Sequence, residues 1–186
     1  MSASNESKGE STGKQPKILI PEIKLQARVA ELALEIANDY QDREITAVCV
    51  LKGSFVFFTD IIRRLNLPLT TEFLGVSSYG NKMVSSGEVK VTLDINEPLE
   101  NKHVLVFEDI VDTGLTLSYI TNLLRTRKPA SLRTCALLMK PESLKTQVEP
   151  DYLGFKIGNE FVVGYGIDHA GKHRGLPYVG YIEHDH

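Results

Sequence analysis

Apolar positions along the chain follow two periods, one typical of helices and one of strands. From Ile23 they recur at helical spacing with charged residues between them, which predicts an amphipathic helix. Two further helices are predicted, one after Ser54, which is placed to cap it, and one after Thr116. The apolar positions of the three helices are Leu25, Val29, Leu32, Ile36 and Tyr40, then Phe55, Phe58, Ile61, Ile62 and Leu65, then Leu117, Ile120 and Leu124.

Short apolar runs between these helices predict strands at 45–51, 71–76, 103–107, 132–139, 152–157, 161–163 and 178–182. Strict alternation at Val89, Val91, Leu93 and Ile95 predicts one more. Because most runs are apolar on both faces and alternate with helices, the pattern predicts an α/β fold with a parallel sheet covered by helices. Ligands of such sheets lie beyond the carboxyl ends of the strands, here the loops after residues 51, 107, 139 and 163.

The composition indicates one folded domain with a polar tail. The chain has 186 residues, 42% hydrophobic and 24% charged, enough for one sizeable core over residues 17–186. Residues 1–16 carry only Met1 and Ala3 as apolar positions, which predicts a disordered tail. No secretion signal pattern opens the chain, and Cys49 and Cys135 lie in apolar stretches. We therefore expect a cytoplasmic protein with buried, reduced thiols, although the sequence leaves a disulfide open.

Charge and hydropathy argue against two classes of partner. The net charge of −3 provides no general positive field for nucleic acid or an anionic membrane. The longest apolar runs fall far short of the ~20 residues that span a bilayer. Any anion site must therefore be local.

The segment at 106–116, VFEDIVDTGLT, carries the strongest chemical signal. Glu108 and Asp109 follow a buried strand and Asp112 comes soon after, so three carboxylates need a cation, hydroxyl donors or a substrate to offset their desolvation. Helix capping by Asp112 or Thr113 is the alternative and explains one acid only. Gly114, the neighbouring hydroxyls and the N–H groups of a helix start suit a phosphate.

This segment resembles the phosphoribosyl-pyrophosphate motif of the type I phosphoribosyltransferases. Further stretches are similar to the hypoxanthine-guanine phosphoribosyltransferases: Leu51-Lys52-Gly53, Ser77-Ser78-Tyr79-Gly80, Lys140, Phe161-Val162-Val163-Gly164, Asp168 and Arg174. The resemblance covers residues 20–183. It implies the type I phosphoribosyltransferase fold, an open, mainly parallel sheet flanked by helices, with a small hood subdomain formed by the chain termini.

The resemblance also implies a reaction and roles for residues. A 6-oxopurine and phosphoribosyl pyrophosphate would give a purine nucleoside monophosphate and pyrophosphate, with Mg²⁺ bound. Glu108 and Asp109 would face the ribose hydroxyls directly or through the metal, and Asp112 would accept the purine proton. The 5′-phosphate would be held by Thr113, Gly114, Leu115 and Thr116.

By the same resemblance, the pyrophosphate end would involve Asp168 on a second Mg²⁺, Arg174 as a clamp, and the Lys52-Gly53 turn after a cis Leu51–Lys52 peptide. A solvated surface charge is the alternative for Arg174, and an ordinary turn lysine is the alternative for Lys52. Ser78 and Tyr79 would belong to a lid at 77–87, which could equally be a plain hairpin connection.

At the base, the resemblance implies that Lys140 donates to the 6-oxo oxygen, Phe161 stacks on the purine, and the Val162 backbone meets the base edge. A strand-end lysine that snorkels to water and a core phenylalanine are the alternatives. His169 and His173 stand where many relatives carry aromatic residues, which affects the choice among hypoxanthine, guanine and xanthine.

Two rival functions remain open. One is a transcriptional regulator that keeps the fold, senses phosphoribosyl pyrophosphate and could bind RNA. The other is a phosphoribosyltransferase for adenine, a pyrimidine or xanthine. Relatives are homodimers or homotetramers, so we expect self-association. Gly164-Tyr165-Gly166 lacks the spacing of a dinucleotide fingerprint, and His184 and His186 are interpreted as a solvated tail.

Overall fold

Two β-sheets and three α-helices make up the part of the chain that the computed structural model describes, residues 15–41, 43–78 and 89–183. The strands are β1 (Lys17–Ile20), β2 (Ile45–Leu51), β3 (Leu69–Ser78), β4 (Val89–Leu93), β5 (His103–Val111), β6 (Ser131–Met139), β7 (Tyr152–Lys156), β8 (Val162–Val163) and β9 (Val179–Tyr181). The helices are α1 (Glu22–Tyr40), α2 (Phe55–Ile62) and α3 (Leu115–Arg125), with a short 3₁₀ turn at Pro141–Ser143.

The central sheet has six strands in the order β4-β3-β2-β5-β6-β7. All its neighbouring strands are parallel except β3 and β4, which are antiparallel. The predicted α/β fold with an open, mainly parallel sheet is therefore confirmed. Since β2 pairs with β3 on one side and β5 on the other, the strand order reverses there, and ligands of such sheets bind at this reversal.

Helices cover both faces of the central sheet. Ala47 and Cys49 of β2 pack in the core that α1 and α2 share, whereas Val48 and Val50 pack with Ile120 of α3. This division follows from the two-residue period of a strand, which sends successive side chains to opposite faces. The predicted buried face of α1, from Leu25 to Tyr40, is confirmed.

A small antiparallel sheet joins the two ends of the described chain, in the order β1-β9-β8. Lys17 of β1 lies opposite Tyr181 of β9. This sheet matches the hood that the resemblance implies, and it contains the strands predicted near 161–163 and 178–182. β1 itself is absent from the predicted elements, because only its last residue, Ile20, is buried.

The structure corrects the prediction that Ser54 caps α2. Ser54 itself has helical backbone angles, φ −78° and ψ −5°, and its side chain makes no capping hydrogen bond. The buried hydroxyl instead donates to the carbonyl of Val50 in β2. Ser54 thus joins the end of the strand to the start of the helix.

The fifth strand is longer than predicted. The expected strand at 103–107 continues through Glu108 and Asp109 to Val111, paired along this length with β6. The two acids therefore lie within the strand, close to its carboxyl end.

Three predictions fall wholly or partly on residues that the structure does not describe. Residues 1–14 of the predicted tail, residues 79–87 of the predicted lid, and the terminal His184 and His186 lie outside the described residues. Within the described ranges, no helix is long and apolar enough to cross a membrane.

The two cysteines are buried and unpaired, as predicted. Burial raises the pKa of Cys49 to about 11 and also raises that of Cys135. A raised thiol pKa leaves about 0.1% thiolate at pH 8, and only the thiolate reacts. We expect the native protein to react slowly with Ellman's reagent at pH 8 and the guanidinium-unfolded chain to release two equivalents at once. Rapid reaction of both thiols in the native protein would contradict this assignment.

Candidate active site

The reversal of strand order brings the turn after β2 against the end of β5. Cys49 pairs with Phe107 in the parallel register, so the next residues of both strands approach the same edge. Gly53 lies so close to the Asp109 carboxylate that a Cβ added there would stand 1.7 Å from Oδ2. Glycine at position 53 therefore makes room for a carboxylate at the switch point.

A cavity of about 230 Å³ opens at the end of β5. It is lined by residues 108–114 together with Thr116 and Leu117. Glu108 is buried at its base, and Asp112 is exposed at its rim. The cavity thus joins three carboxylates to the backbone that opens α3.

Gly114 gives this loop its shape. Its φ of 78° lies in the left-handed region, and a Cβ there would stand 2.5 Å from Val148 Cγ1. Gly114 is also the residue that precedes α3, so neither Asp112 nor Thr113 holds the capping position. Thr113 Oγ1 accepts one long hydrogen bond, at 3.5 Å, from the N–H of Leu115, but neither residue occupies the capping position. The loop presents helix-start N–H groups of the kind that bind phosphate.

Burial dominates the charge state of the two acids in β5. It raises the pKa of Asp109 to about 6 and, with the neighbouring Asp109 carboxylate, raises the pKa of Glu108 well above its usual range. Within the described part of the chain, Glu108 Oε2 has no hydrogen-bond partner. A cation or hydroxyl donors at this position would offset the desolvation of both groups.

Asp168 and Arg174 form an ion pair beside these acids. Arg174 Nη2 lies 2.5 Å from Asp168 Oδ1, and Arg174 Nη1 donates to the carbonyl of Gly166 at 2.7 Å. Both charges act on Asp109, where Arg174 lowers the pKa and Asp168 raises it. Interpretation of Arg174 as a freely solvated surface charge is therefore wrong.

The Lys140 side chain is buried at the end of β6. The residue is 7% exposed, and its Nζ lies 3.7 Å from Oδ2 of Asp112. Its backbone N–H donates to the carbonyl of Val111, which fixes it beside the end of β5. The alternative of a lysine that snorkels to water is wrong, because the ammonium is directed to a carboxylate in the cavity.

Phe161 and Val162 stand at the small sheet. Phe161 is 39% exposed and contacts His169 edge to face, with ring centroids 5.0 Å apart. Val162 is buried and pairs with Tyr181 in the sheet. The exposed fraction excludes the alternative that Phe161 is only a core residue.

The other predicted site residues lie at the mouth of the switch point. The Leu51–Lys52 peptide bond is cis, as the resemblance implies, and Lys52 is exposed. Ser78 ends β3 opposite Val89, and Tyr79 falls outside the described residues. In the part of the chain the structure describes, no three His, Cys, Asp or Glu side chains form a set that could by itself hold a metal ion.

Sequence reasoning missed the tyrosine at 165 and the glycine at 166. A Cβ at Gly166 would stand 2.1 Å from the carbonyl oxygen of Gly53, so the 164–174 loop lies directly on the turn after β2. The Gly-Tyr-Gly spacing was an available signal, because glycines on both sides of one residue indicate left-handed backbone. A larger cavity of about 330 Å³ lies at the opposite edge of the sheet, beside Thr46 and His103, away from these acids.

The packing at Gly53 yields a prediction. In Gly53→Ala, the new methyl group must displace the Asp109 carboxylate. The Asp109 side chain is short and packed, so it has little room to move away. We expect a loss of about tenfold in kcat/KM, since displacement of a site group by about 1 Å has effects of this order or larger. Steady-state kinetics check the loss, with Gly175→Ala as the control, because a Cβ at Gly175 meets nothing within 4 Å. Equal activity of the two variants would contradict the assigned packing.

The chain is similar to a known protein family and to several characterised proteins. The family model described as a phosphoribosyl transferase domain matches residues 22–170. The hypoxanthine-guanine phosphoribosyltransferase of Bacillus subtilis is 44% identical over 167 residues, which are 90% of this chain and 93% of that protein. A crystal structure of a hypoxanthine-guanine phosphoribosyltransferase from Bacillus anthracis superposes with a TM-score of 0.86 at 45% identity, over 91% of this chain and 100% of that one.

Some relatives are much longer. The bifunctional protein TilS/HprT of Listeria monocytogenes is 47% identical over 167 residues, which are 90% of this chain and 26% of that protein. The chain therefore spans about a quarter of the length of these bifunctional relatives.

Proposed function

The chain belongs to the phosphoribosyl transferase domain family, and we propose that it transfers the phosphoribosyl group of phosphoribosyl pyrophosphate to hypoxanthine, guanine or both. The products are IMP or GMP and pyrophosphate, which makes it a purine salvage enzyme, a pentosyltransferase. One observation carries the proposal: a buried lysine, Lys140, lies 3.7 Å from Asp112, which lines the cavity at the end of β5.

The 5′-phosphate occupies the loop from Thr113 to Thr116. Backbone N–H groups at the start of α3 and the two threonine hydroxyls are the donors, and the glycine at 114 lets the phosphate approach the backbone. The positive end of the helix dipole favours the phosphate charge further. The sugar is then held over the end of β5.

Glu108 and Asp109 face the ribose hydroxyls. As pyrophosphate leaves, positive charge develops on the ribose, and fixed carboxylates stabilise that charge in a site that excludes water. The buried Glu108, whose Oε2 has no partner within the described residues, and the raised pKa of Asp109 support this role, because each acid gains a partner when the sugar arrives.

The acids of the site also fit Mg²⁺. Magnesium prefers oxygen ligands, keeps several waters and is commonly bound by one or two carboxylates together with substrate phosphates, so three protein ligands are not required. Glu108 and Asp109 would hold one ion with the sugar, and Asp168 would hold a second with pyrophosphate. When bound, Mg²⁺ neutralises the leaving pyrophosphate oxygens.

Lys140 and Phe161 select and orient the base. The Lys140 ammonium donates to the 6-oxo oxygen of hypoxanthine or guanine, whereas the amino group of adenine cannot accept that bond. A buried donor left without a partner costs about 1 to 3 kcal/mol, so the site disfavours adenine. Phe161 stacks on the purine face and the Val162 backbone meets the base edge, which the exposed Phe161 ring supports.

Asp112 accepts the ring N–H proton of the purine. The bond from C1′ to the pyrophosphate oxygen breaks as the bond from C1′ to the purine nitrogen forms, and the proton moves to the Asp112 carboxylate. Its place at the rim of the cavity, 3.7 Å from the Lys140 ammonium, puts it beside the same base.

The leaving pyrophosphate is bound by the Lys52-Gly53 turn and Arg174. The backbone N–H groups of the turn are assigned to the pyrophosphate oxygens, and Arg174 adds a fork of donors suited to phosphate. Ser78 and Tyr79 belong to the lid that closes over the reacting groups.

Assembly and location complete the proposal. We propose that the chain acts as a homodimer or homotetramer, as the resemblance implies. A location in the cytoplasm suits the two buried, unpaired thiols.

A regulator that only senses phosphoribosyl pyrophosphate is the second candidate. Such a regulator needs the phosphate-binding loop but does not need the pair of Lys140 and Asp112. A regulator that binds RNA is also expected to be basic, whereas this chain has a net charge of −3. The position of Lys140 therefore favours the enzyme.

An acceptor panel tests the proposed function. Nucleotide formation is measured from phosphoribosyl pyrophosphate and Mg²⁺ with hypoxanthine, guanine, xanthine or adenine offered separately. We expect product with hypoxanthine or guanine and at least about 10²-fold less with adenine, as for sites that hydrogen-bond a substrate group. Product from adenine alone would overturn the role of Lys140 and the assigned substrate class together.

A further inference from the structure

The loop that carries Asp168 and Arg174 is held by an unusual backbone. Gly164, Tyr165 and Gly166 have φ values of 97°, 50° and 102°, so three successive residues lie in the left-handed region. Glycine adopts this region freely, but a tyrosine does so at a cost. Other contacts must therefore hold Tyr165 in place. We call residues 164–174 the clamp loop.

The Tyr165 side chain supplies that contact. It is 2% exposed, and its hydroxyl donates to Asp60 Oδ2 at 2.6 Å. Gln26 Nε2 of α1 donates to the same carboxylate oxygen at 2.8 Å, and Arg64 Nη2 donates to Gln26 Oε1 at 2.6 Å. A hydrogen bond to a carboxylate is stronger than one between neutral groups. The clamp loop is thus fastened to both helices on this face of the sheet.

Asp60 lies on α2, which begins directly after the Lys52-Gly53 turn. The backbone of Gly166 packs against the Gly53 carbonyl, and Gly53 packs against the Asp109 carboxylate. Arg174 Nη1 donates to the Gly166 carbonyl from within the same loop. A shift of Tyr165 therefore moves Gly166, and with it the arginine and the turn, which are the groups assigned to pyrophosphate.

We propose that Tyr165 and Asp60 are positioning residues that set the clamp loop against the Lys52-Gly53 turn and so form the pyrophosphate end of the phosphoribosyl-pyrophosphate site. The inference rests on the proposed function. Neither residue touches the reacting atoms. Their hydrogen bond acts through Arg174 and through the contact between the two glycines.

The Tyr165→Phe variant tests the inference, with Tyr152→Phe as the matched control. Tyr152 is also a buried tyrosine whose hydroxyl donates to an aspartate, Asp39, at 2.8 Å, but it starts β7 at the opposite edge of the sheet. We expect Tyr165→Phe to raise KM and Kd for phosphoribosyl pyrophosphate about tenfold, the effect of one hydrogen bond to a charged group. In this variant, KM for hypoxanthine is expected to change less than about twofold. Tyr152→Phe is expected to leave both KM values unchanged and to lower the thermal midpoint of unfolding about as much as Tyr165→Phe does.

Substitutions at the partner separate the hydrogen bond from packing. Asp60→Asn keeps an oxygen that accepts from Tyr165, so its KM for phosphoribosyl pyrophosphate is expected within about threefold of the wild type. Asp60→Leu removes the acceptor and is expected to match Tyr165→Phe, with the double variant no worse than either single one. Additive effects, or equal KM values in Tyr165→Phe and Tyr152→Phe, would overturn the inference. A wild-type protein with no transfer activity would overturn the proposed function instead.

Discussion

Asp112→Asn is expected to lower kcat by about 10²- to 10⁴-fold, the usual contribution of a positioned proton acceptor. An amide of the same shape cannot accept the purine proton, so the new bond to C1′ must form without it. The Gly114 loop that holds the 5′-phosphate is untouched, because the substitution keeps the side-chain volume at the exposed rim of the cavity. Binding of phosphoribosyl pyrophosphate is therefore expected to change by less than about threefold.

Steady-state turnover and calorimetric binding of phosphoribosyl pyrophosphate check this split. Asp94→Asn is the control, since that aspartate pairs with Arg127 at 2.5 Å beyond β4 and has no place in the cavity. The control is expected to keep wild-type turnover. If Asp112→Asn turned over at the wild-type rate, Asp112 would not be the proton acceptor.

Lys140→Met is expected to lower kcat/KM for hypoxanthine by about 10- to 10²-fold, which corresponds to the loss of one charge-assisted hydrogen bond. Methionine keeps the length and the apolar stem of the buried side chain but offers no donor to the 6-oxo oxygen. Adenine no longer leaves an ammonium unpaired in this variant, so its kcat/KM is expected to stay constant or rise. The ratio of kcat/KM for hypoxanthine to kcat/KM for adenine is therefore expected to fall.

Competition between hypoxanthine and adenine in one reaction measures that ratio directly. Lys156→Met is the control, because Lys156 is an exposed lysine at the end of the neighbouring strand β7. We expect the stability of Lys140→Met to match or exceed that of the wild type, since replacement of a buried charge by an apolar side chain is often neutral or stabilising. Unchanged base selectivity in Lys140→Met would remove Lys140 from base recognition.

Local patterns were sufficient for much of the fold. The apolar stripe of α1 and the buried strands β2, β5 and β6 follow from hydrophobic periodicity, because each is long and packs on the central core. β1 escaped prediction, since only one of its four residues is buried and its partner strand, β9, lies near the other end of the chain. Sheet edges that depend on distant pairing leave little trace in a local pattern.

The candidate site divides in the same way. The residues from Glu108 to Thr116 are consecutive, so one segment of sequence carried the phosphate loop and its acids together. Lys140 was predicted at a strand end, but its 3.7 Å approach to Asp112 depends on the pairing of β5 with β6. The contacts of Gly53 with Asp109 and of Gly166 with Gly53 join segments far apart in sequence, so only the folded chain brings them together.

Ser54 illustrates why position before a helix is a weak guide to capping. Its backbone is already helical, and its buried hydroxyl finds a carbonyl acceptor in β2. The general preference for serine at helix starts was overridden by the demand that a buried hydroxyl be hydrogen-bonded.

The most direct test of the central claim follows IMP and pyrophosphate together when hypoxanthine and phosphoribosyl pyrophosphate are mixed with Mg²⁺ and the protein. A phosphoribosyl transfer to the base predicts that the two products appear in a one-to-one ratio and that neither forms when hypoxanthine is omitted. Tight binding of phosphoribosyl pyrophosphate with no IMP would contradict the account and would identify the chain as a sensor of that ligand.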